Sequence, residues 1–206
     1  MLYFVKTPRW VQALFPKYTW QKNSTQKKIF LTFDDGPHPQ HTIFVLNELR
    51  KINAKATFFC IGKNVDLYPE IYNKILLEGH AVGNHTQNHL RGRATQNEEY
   101  IANVNAASSF IKSNLFRPPY GSIKKSQAEI LMKQNPAFEI VMWTVLSADF
   151  DHNITKEKCL KNVISKTKNG AIVLFHDSEK ASEKMYYALP KFLKIFNNEG
   201  YTFETL

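Results

Sequence analysis

The chain has 206 residues, with 27 Lys and Arg against 18 Asp and Glu and a formal charge of +9. Its 43% hydrophobic and 13% aromatic residues supply a full core, which excludes a disordered, collagen-like or coiled-coil protein. Its longest apolar stretches, such as Ala171-Ile172-Val173-Leu174-Phe175, fall far short of the roughly 20 residues that span a bilayer, and its basic residues are scattered singly or in pairs, not gathered into a run that would bind nucleic acid.

The apolar run at the N-terminus is cut by Lys6 and Pro8, so the pattern of a secretory signal is missing and a cytoplasmic protein is the expectation. Residues 1–28 read as an extension, with Trp10, Phe15, Tyr18 and Trp20 able to pack on the main domain or on a partner. From residue 29 to 206 strand patterns alternate with helical ones. Strands are expected at 29–33, 56–61, 81–83, 115–117, 138–145, 171–175 and 201–205. Helices are expected at 42–51, 69–78, 96–113, 126–134, 156–166 and 182–197, the first with Ile43, Leu46 and Leu49 on one stripe. Gly79, Gly170 and Gly200 stand where helix C-caps would fall. Cys60 and Cys159 are too few for a disulfide framework and read as reduced thiols. Strand and helix in alternation specify an α/β fold with parallel strands, as an open doubly wound sheet or an irregular barrel. Either closure puts the chemistry at the C-terminal ends of the strands.

Five polar clusters fall at those ends. Thr32-Phe33-Asp34-Asp35-Gly36-Pro37 sets two carboxylates beside a chain break, so a turn at Asp35 can aim both into one pocket. His85 and His89 are four apart, one helical turn, a spacing that lets both coordinate one ion; with a carboxylate they make three ligands and leave room for water. Arg117-Pro118-Pro119-Tyr120-Gly121 offers a guanidinium fork on a rigid backbone. Leu146-Ser147-Ala148-Asp149-Phe150 is a strand running into an acidic residue, and Leu174-Phe175-His176-Asp177 sets a His at the end of the most apolar strand. A His there, beside a carboxylate, can be held protonated as a general acid.

In this order the clusters resemble the five motifs of the polysaccharide deacetylase family, the NodB-like domain of carbohydrate esterase family four: T-F-D-D-G-P, H-[ST]-x-x-H, R-P-P-Y-G, D-x-x-D-W and L-x-H. The resemblance covers roughly residues 29–206 and implies a distorted (β/α) barrel with about seven parallel strands. It implies that Asp35, His85 and His89 hold one divalent metal, zinc in the first place, with Co, Mn, Ni or Fe as alternatives. Asp34 would be the catalytic base, oriented by Arg117, and the Tyr120 N–H would hold the oxyanion. His176 would be the acid, supported by Asp149, with Leu174, Trp143, Phe150 and Pro119 lining the substrate pocket. The fourth motif departs from the family, with Leu146 in place of its first Asp and Phe150 in place of its Trp. The implied reaction is removal of N-acetyl groups from the amino sugars of a peptidoglycan-like or chitin-like glycan. An O-acetyl esterase and a silent metal-holding glycan binder are the alternatives. A monomer with a glycan substrate is the expectation, and His38, His41, His80 and His152 carry no assigned role.

Overall fold

The computed structural model describes residues 3–206. Seven parallel strands, β1 (Lys28–Asp34), β2 (Thr57–Cys60), β3 (Ala81–Asn84), β4 (Leu115–Phe116), β5 (Glu139–Ile140), β6 (Val145–Leu146) and β7 (Ile172–His176), lie in the spatial order β5-β4-β3-β2-β1-β7-β6. They curl into a half-barrel. A short β8 (Thr202–Phe203) pairs with the start of β1. β1 is central and, after Lys28, buried along its whole length, as a parallel strand covered on both faces must be.

The helices are α1 (Arg9–Leu14), α2 (His41–Arg50), α3 (Gly62–Leu67), α4 (Pro69–Leu77), α5 (Asn97–Ala107), α6 (Lys125–Leu131), α7 (Lys156–Lys166) and α8 (Ser182–Asn198). α8 buries Met185, Ala188, Leu189, Phe192, Leu193 and Phe196, a stripe at helical period that joins the main core with Leu31, Phe33 and Phe175 of the sheet. On α2 the buried face is Thr42, Val45, Leu46 and Leu49; Ile43 sits at its flank and is only half-buried, which corrects the expected stripe. The predicted helix at 96–113 stops at Ala107, where the Ser108 hydroxyl bonds back to the Val104 carbonyl and accepts from Asn84 Nδ2.

The single strand expected at 138–145 is two. Between β5 and β6 the backbone turns its hydrogen bonds to the N-terminal segment: Met142 N donates to Thr19 O at 2.7 Å and Thr7 N donates to Thr144 O at 2.9 Å. Bridges Thr19 to Val141 and Lys6 to Val145 thus occupy the outer sides of the two edge strands, which would otherwise stand unpaired. The same packing buries Trp20 and half-buries Phe15 and Tyr18 against Phe116, Phe138 and Ile140. Cys60 and Cys159 are free and buried. Among the described residues no helix is long and apolar enough to cross a membrane.

Candidate active site

The first cluster breaks the strand's alternation. Asp34 ends β1, and Asp35 follows at φ 85°, in the left-handed region, so both carboxylates turn to the same side. Gly36 allows that turn to pack tightly, since a Cβ there would lie 2.2 Å from Asp177 Oδ2. Arg117, at the end of β4, is fully buried and donates from Nη1 to Asp34 Oδ1 at 2.7 Å and to Thr32 Oγ1 at 2.8 Å. Its Nε and Nη2 reach the carbonyls of Val141 and Met142, and its guanidinium lies 4.0 Å above the Phe59 ring. Each nitrogen of this buried cation has a partner, and Asp34 Oδ2 is left facing His85 Nε2 at 3.8 Å.

His85 and His89 do not lie on a helix, contrary to the reading of their spacing. They occupy a loop after β3 in which Thr86 (φ 66°) and His89 (φ 56°) are both left-handed. Side-chain amides shape this loop: Asn84 Oδ1 accepts from Thr86 N, and Asn103 Oδ1 accepts from the N–H groups of Gln87 and Asn88. His85 Nδ1 donates to the Arg117 carbonyl at 2.7 Å, leaving Nε2 aimed at Asp35 Oδ1, 3.7 Å away. His89 Nε2 lies 3.2 Å from the same oxygen. Burial pushes His85 down to about 4, so its imidazole is neutral and free to ligate. Burial would raise Asp35, but the neighbouring His89 and the charge of His176 outweigh it and hold the carboxyl well below the usual range. Asp35 Oδ1 is buried without a hydrogen bond, and the three ligand atoms lie within 4.8 Å of one another. An orphaned carboxylate oxygen facing two ring nitrogens fits a divalent cation.

His176 ends β7 beside Asp34, its register partner on β1. Asp149, fully buried, holds it twice: Oδ1 lies 2.7 Å from His176 Nδ1 and Oδ2 accepts from His176 N at 2.8 Å. Burial alone would lower this imidazole, but Asp149, helped by Asp35 and Asp34, raises it to about 9. Phe150 sets its ring edge-on to His176 at 5.3 Å, and Tyr3 sets its own edge-on to Phe150 at 5.7 Å while its hydroxyl donates to Asp151 Oδ2 at 2.6 Å.

The other expected site residues are spread around this centre. Tyr120 is exposed at φ 61°, its ring 4.6 Å from that of His89 and 4.4 Å below the Arg91 guanidinium. Pro119, before it, is buried. Gly121 follows at φ 62°, where a Cβ would meet the Trp143 ring at 2.8 Å. Leu174 packs with Leu146 and Ala148, and Tyr3, Trp143 and Phe150 close over them. A cavity of about 240 Å³ is lined by Tyr120, Trp143, Leu146 and Tyr3, but Leu174, Phe150 and Pro119 do not reach it. The motif reading missed Asp177, Thr42 and Asn64. Asp177 accepts from Gly36 N at 3.0 Å and from the Thr42 hydroxyl, and Asn64 Nδ2 donates to Asp35 O at 2.7 Å. Burial, with Asp35 nearby, raises Asp177 to about 7. Its place next to His176 was the only signal in the sequence; its partners lie about 140 residues away.

The family model described as polysaccharide deacetylase matches residues 21–135. A peptidoglycan-N-acetylglucosamine deacetylase of Bacillus cereus is 34% identical over 194 residues, covering 91% of this chain and 90% of that protein. A chitooligosaccharide deacetylase of Azorhizobium caulinodans is 34% identical over 161 residues, 74% of each. Among solved structures, the Bc1960 peptidoglycan N-acetylglucosamine deacetylase aligns at TM-score 0.82 and 28% identity over 96% of this chain and 94% of that one. The peptidoglycan deacetylase PdaC from Bacillus subtilis aligns at 0.79 and 31% over 88% and 89%. Sequence and fold agree over nearly the whole length, and the chain belongs to the polysaccharide deacetylase family.

Proposed function

We propose that this protein is a metal-dependent hydrolase that removes N-acetyl groups from the amino sugars of a peptidoglycan-like or chitin-like glycan. The observation that carries this reading is the pairing of Asp34 with Arg117 and of His176 with Asp149, from adjacent strand ends, on either side of the Asp35, His85 and His89 trio. Two imidazoles and a carboxylate suit zinc among the divalent ions. When bound, the ion supplies Lewis acidity, polarising the amide carbonyl and acidifying water.

The protein's own groups handle the protons. Asp34 keeps Oδ1 on Arg117, so Oδ2 is the oxygen that takes a proton from the attacking water. The Tyr120 N–H holds the oxyanion that forms at the carbonyl. His176 has Nδ1 on Asp149, so Nε2 is the nitrogen that hands its proton to the leaving amine as the C–N bond breaks. The products are acetate and a free amino sugar. Tyr120, with Arg91 above it and His89 beside it, offers an exposed ring at the rim against which a sugar face can rest.

The reading is tested by measuring acetate released from N-acetylglucosamine oligomers, from peptidoglycan and from acetylated xylan, with and without chelator. Chelator-sensitive release from the first two is expected. Release from acetylated xylan alone makes the protein an O-acetyl esterase, and release from none of them makes it a glycan binder.

A further inference from the structure

Outside the active site, His38, His41 and Glu179 form a second group whose ligand atoms lie within 4.8 Å of one another. His38 lies in the turn after the first motif, His41 opens α2, and Glu179 opens the 3-10 turn Glu179–Ala181 that follows His176 and Asp177. The two imidazoles stack at 4.0 Å. The buried His41 has Nε2 2.8 Å from Glu179 Oε2 and Nδ1 2.7 Å from the Tyr186 hydroxyl.

We propose that His38, His41 and Glu179 form a second divalent transition-metal site, separate from the catalytic trio. Two imidazoles and one carboxylate are the donor types that zinc takes, at about 2.0–2.2 Å each. A tetrahedral ion of that size needs donors roughly 3.4 Å apart with converging in-plane lone pairs, so the half-buried His38 ring turns out of its stack on His41 to reach it. The Glu179 side chain is 82% exposed and supplies the free movement. Tyr186 plays the orienting part: without an ion Nε2–H donates to Glu179 and Nδ1 faces the Tyr186 hydroxyl, and ligation through Nε2 moves the ring proton to Nδ1, which then donates to that hydroxyl. His38 accepts the N–H groups of Gln40 and His41 on Nδ1 at 3.2 and 3.3 Å. Turning the ring out of the stack breaks these two long contacts and frees one ring nitrogen to ligate while the other keeps the proton.

The position gives the site a consequence. His38 N donates to Thr42 Oγ1, the Thr42 hydroxyl donates to Asp177, and Asp177 holds Gly36 N. An ion here clamps the segment that leaves Asp35 to the segment that leaves His176, on the outer side of the turn that holds both carboxylates of the first motif. Occupancy therefore stiffens the catalytic loops without touching substrate.

Titration of the metal-free full-length protein with Zn²⁺, read by calorimetry and elemental analysis, tests this. Wild type is expected to bind two equivalents, the second raising Tm further. Glu179→Gln and the double variant His38→Asn/Glu179→Gln, which leave buried His41 in place, should weaken the second equivalent at least about tenfold. His85→Ala/His89→Ala should lose the first equivalent and keep the second, which separates this site from the catalytic one. One equivalent in wild type, or two bound with unchanged affinity by the His38→Asn/Glu179→Gln protein, overturns the proposal.

Discussion

In the proposed active site, the wall that would supply the base and the wall that would supply the acid are built differently. The base wall, Asp34 with Arg117, is closed: Arg117 has no exposed surface, the Asp34 side chain keeps 4%, and all of the guanidinium's partners come from β1 or from the backbone following β5. The acid wall, His176 with Asp149, keeps 14% exposure at the imidazole and is finished by Tyr3, from the opposite end of the chain. Both departures from the family's fourth motif, Leu146 and Phe150, fall on this second wall, and Tyr3 packs on both. Leu146 is buried with Ala148 and Leu174, and Tyr3, Trp143 and Phe150 pack against them. The base wall is a property of the sheet; the acid wall is a property of the sheet plus its N-terminal strap.

Breaking each wall should have graded effects. The largest is expected from Asp34→Asn, which leaves Arg117 a hydrogen-bond acceptor but no base. Turnover should fall about 10²–10⁴-fold with metal content retained, measured by acetate release and elemental analysis. Arg117→Ala removes the partner of a buried carboxylate and should cost about 3–5 kcal/mol of stability in urea unfolding as well as activity. On the acid wall the expected effect is a shift in pH. His176 is raised from 6.5 to about 9, so its protonated form is favoured in the fold; that stabilisation is complete below about pH 6.5 and fades as pH climbs through about 9. Asp149→Asn removes the main raising charge and leaves burial to act in the opposite direction. The basic limb of the kcat profile should then move to lower pH by more than about one unit. The smallest effect is expected from Tyr3→Phe, which keeps the ring on Phe150 and loses the hydroxyl's bond to Asp151. A loss of about 0.5–1.5 kcal/mol, with kcat nearly unchanged, would mark the strap as a support. Tyr3→Ala should lower kcat further by freeing Phe150, and an unchanged kcat in that variant would erase the distinction between the walls.

Much of this was legible in the residues. Asp34, Asp35, His85, His89, Arg117, Asp149 and His176 stand at strand ends or in the loops that follow them, because the apolar runs stop there. The geometry of the His pair was not legible. A spacing of four suggests a helix turn, but the amides of Asn84 and Asn103 capture the loop's N–H groups and bend it through two left-handed residues. The break at 141–144 was equally hidden, because an apolar run reads as one strand until Thr7 and Thr19 compete for its hydrogen bonds.

The sequence by itself determined the alternation of strand and helix, the strand ends near which the polar clusters lie and the residue types in them, since hydrophobic period and chain breaks act over a few residues. Only the tertiary structure decided which edges the N-terminal segment covers, how Asp177 holds the first turn, what packs on Leu146 and Phe150, and that His38 and His41 meet Glu179. Each of these depends on side chains more than a hundred residues apart, and only chain packing sets such distances.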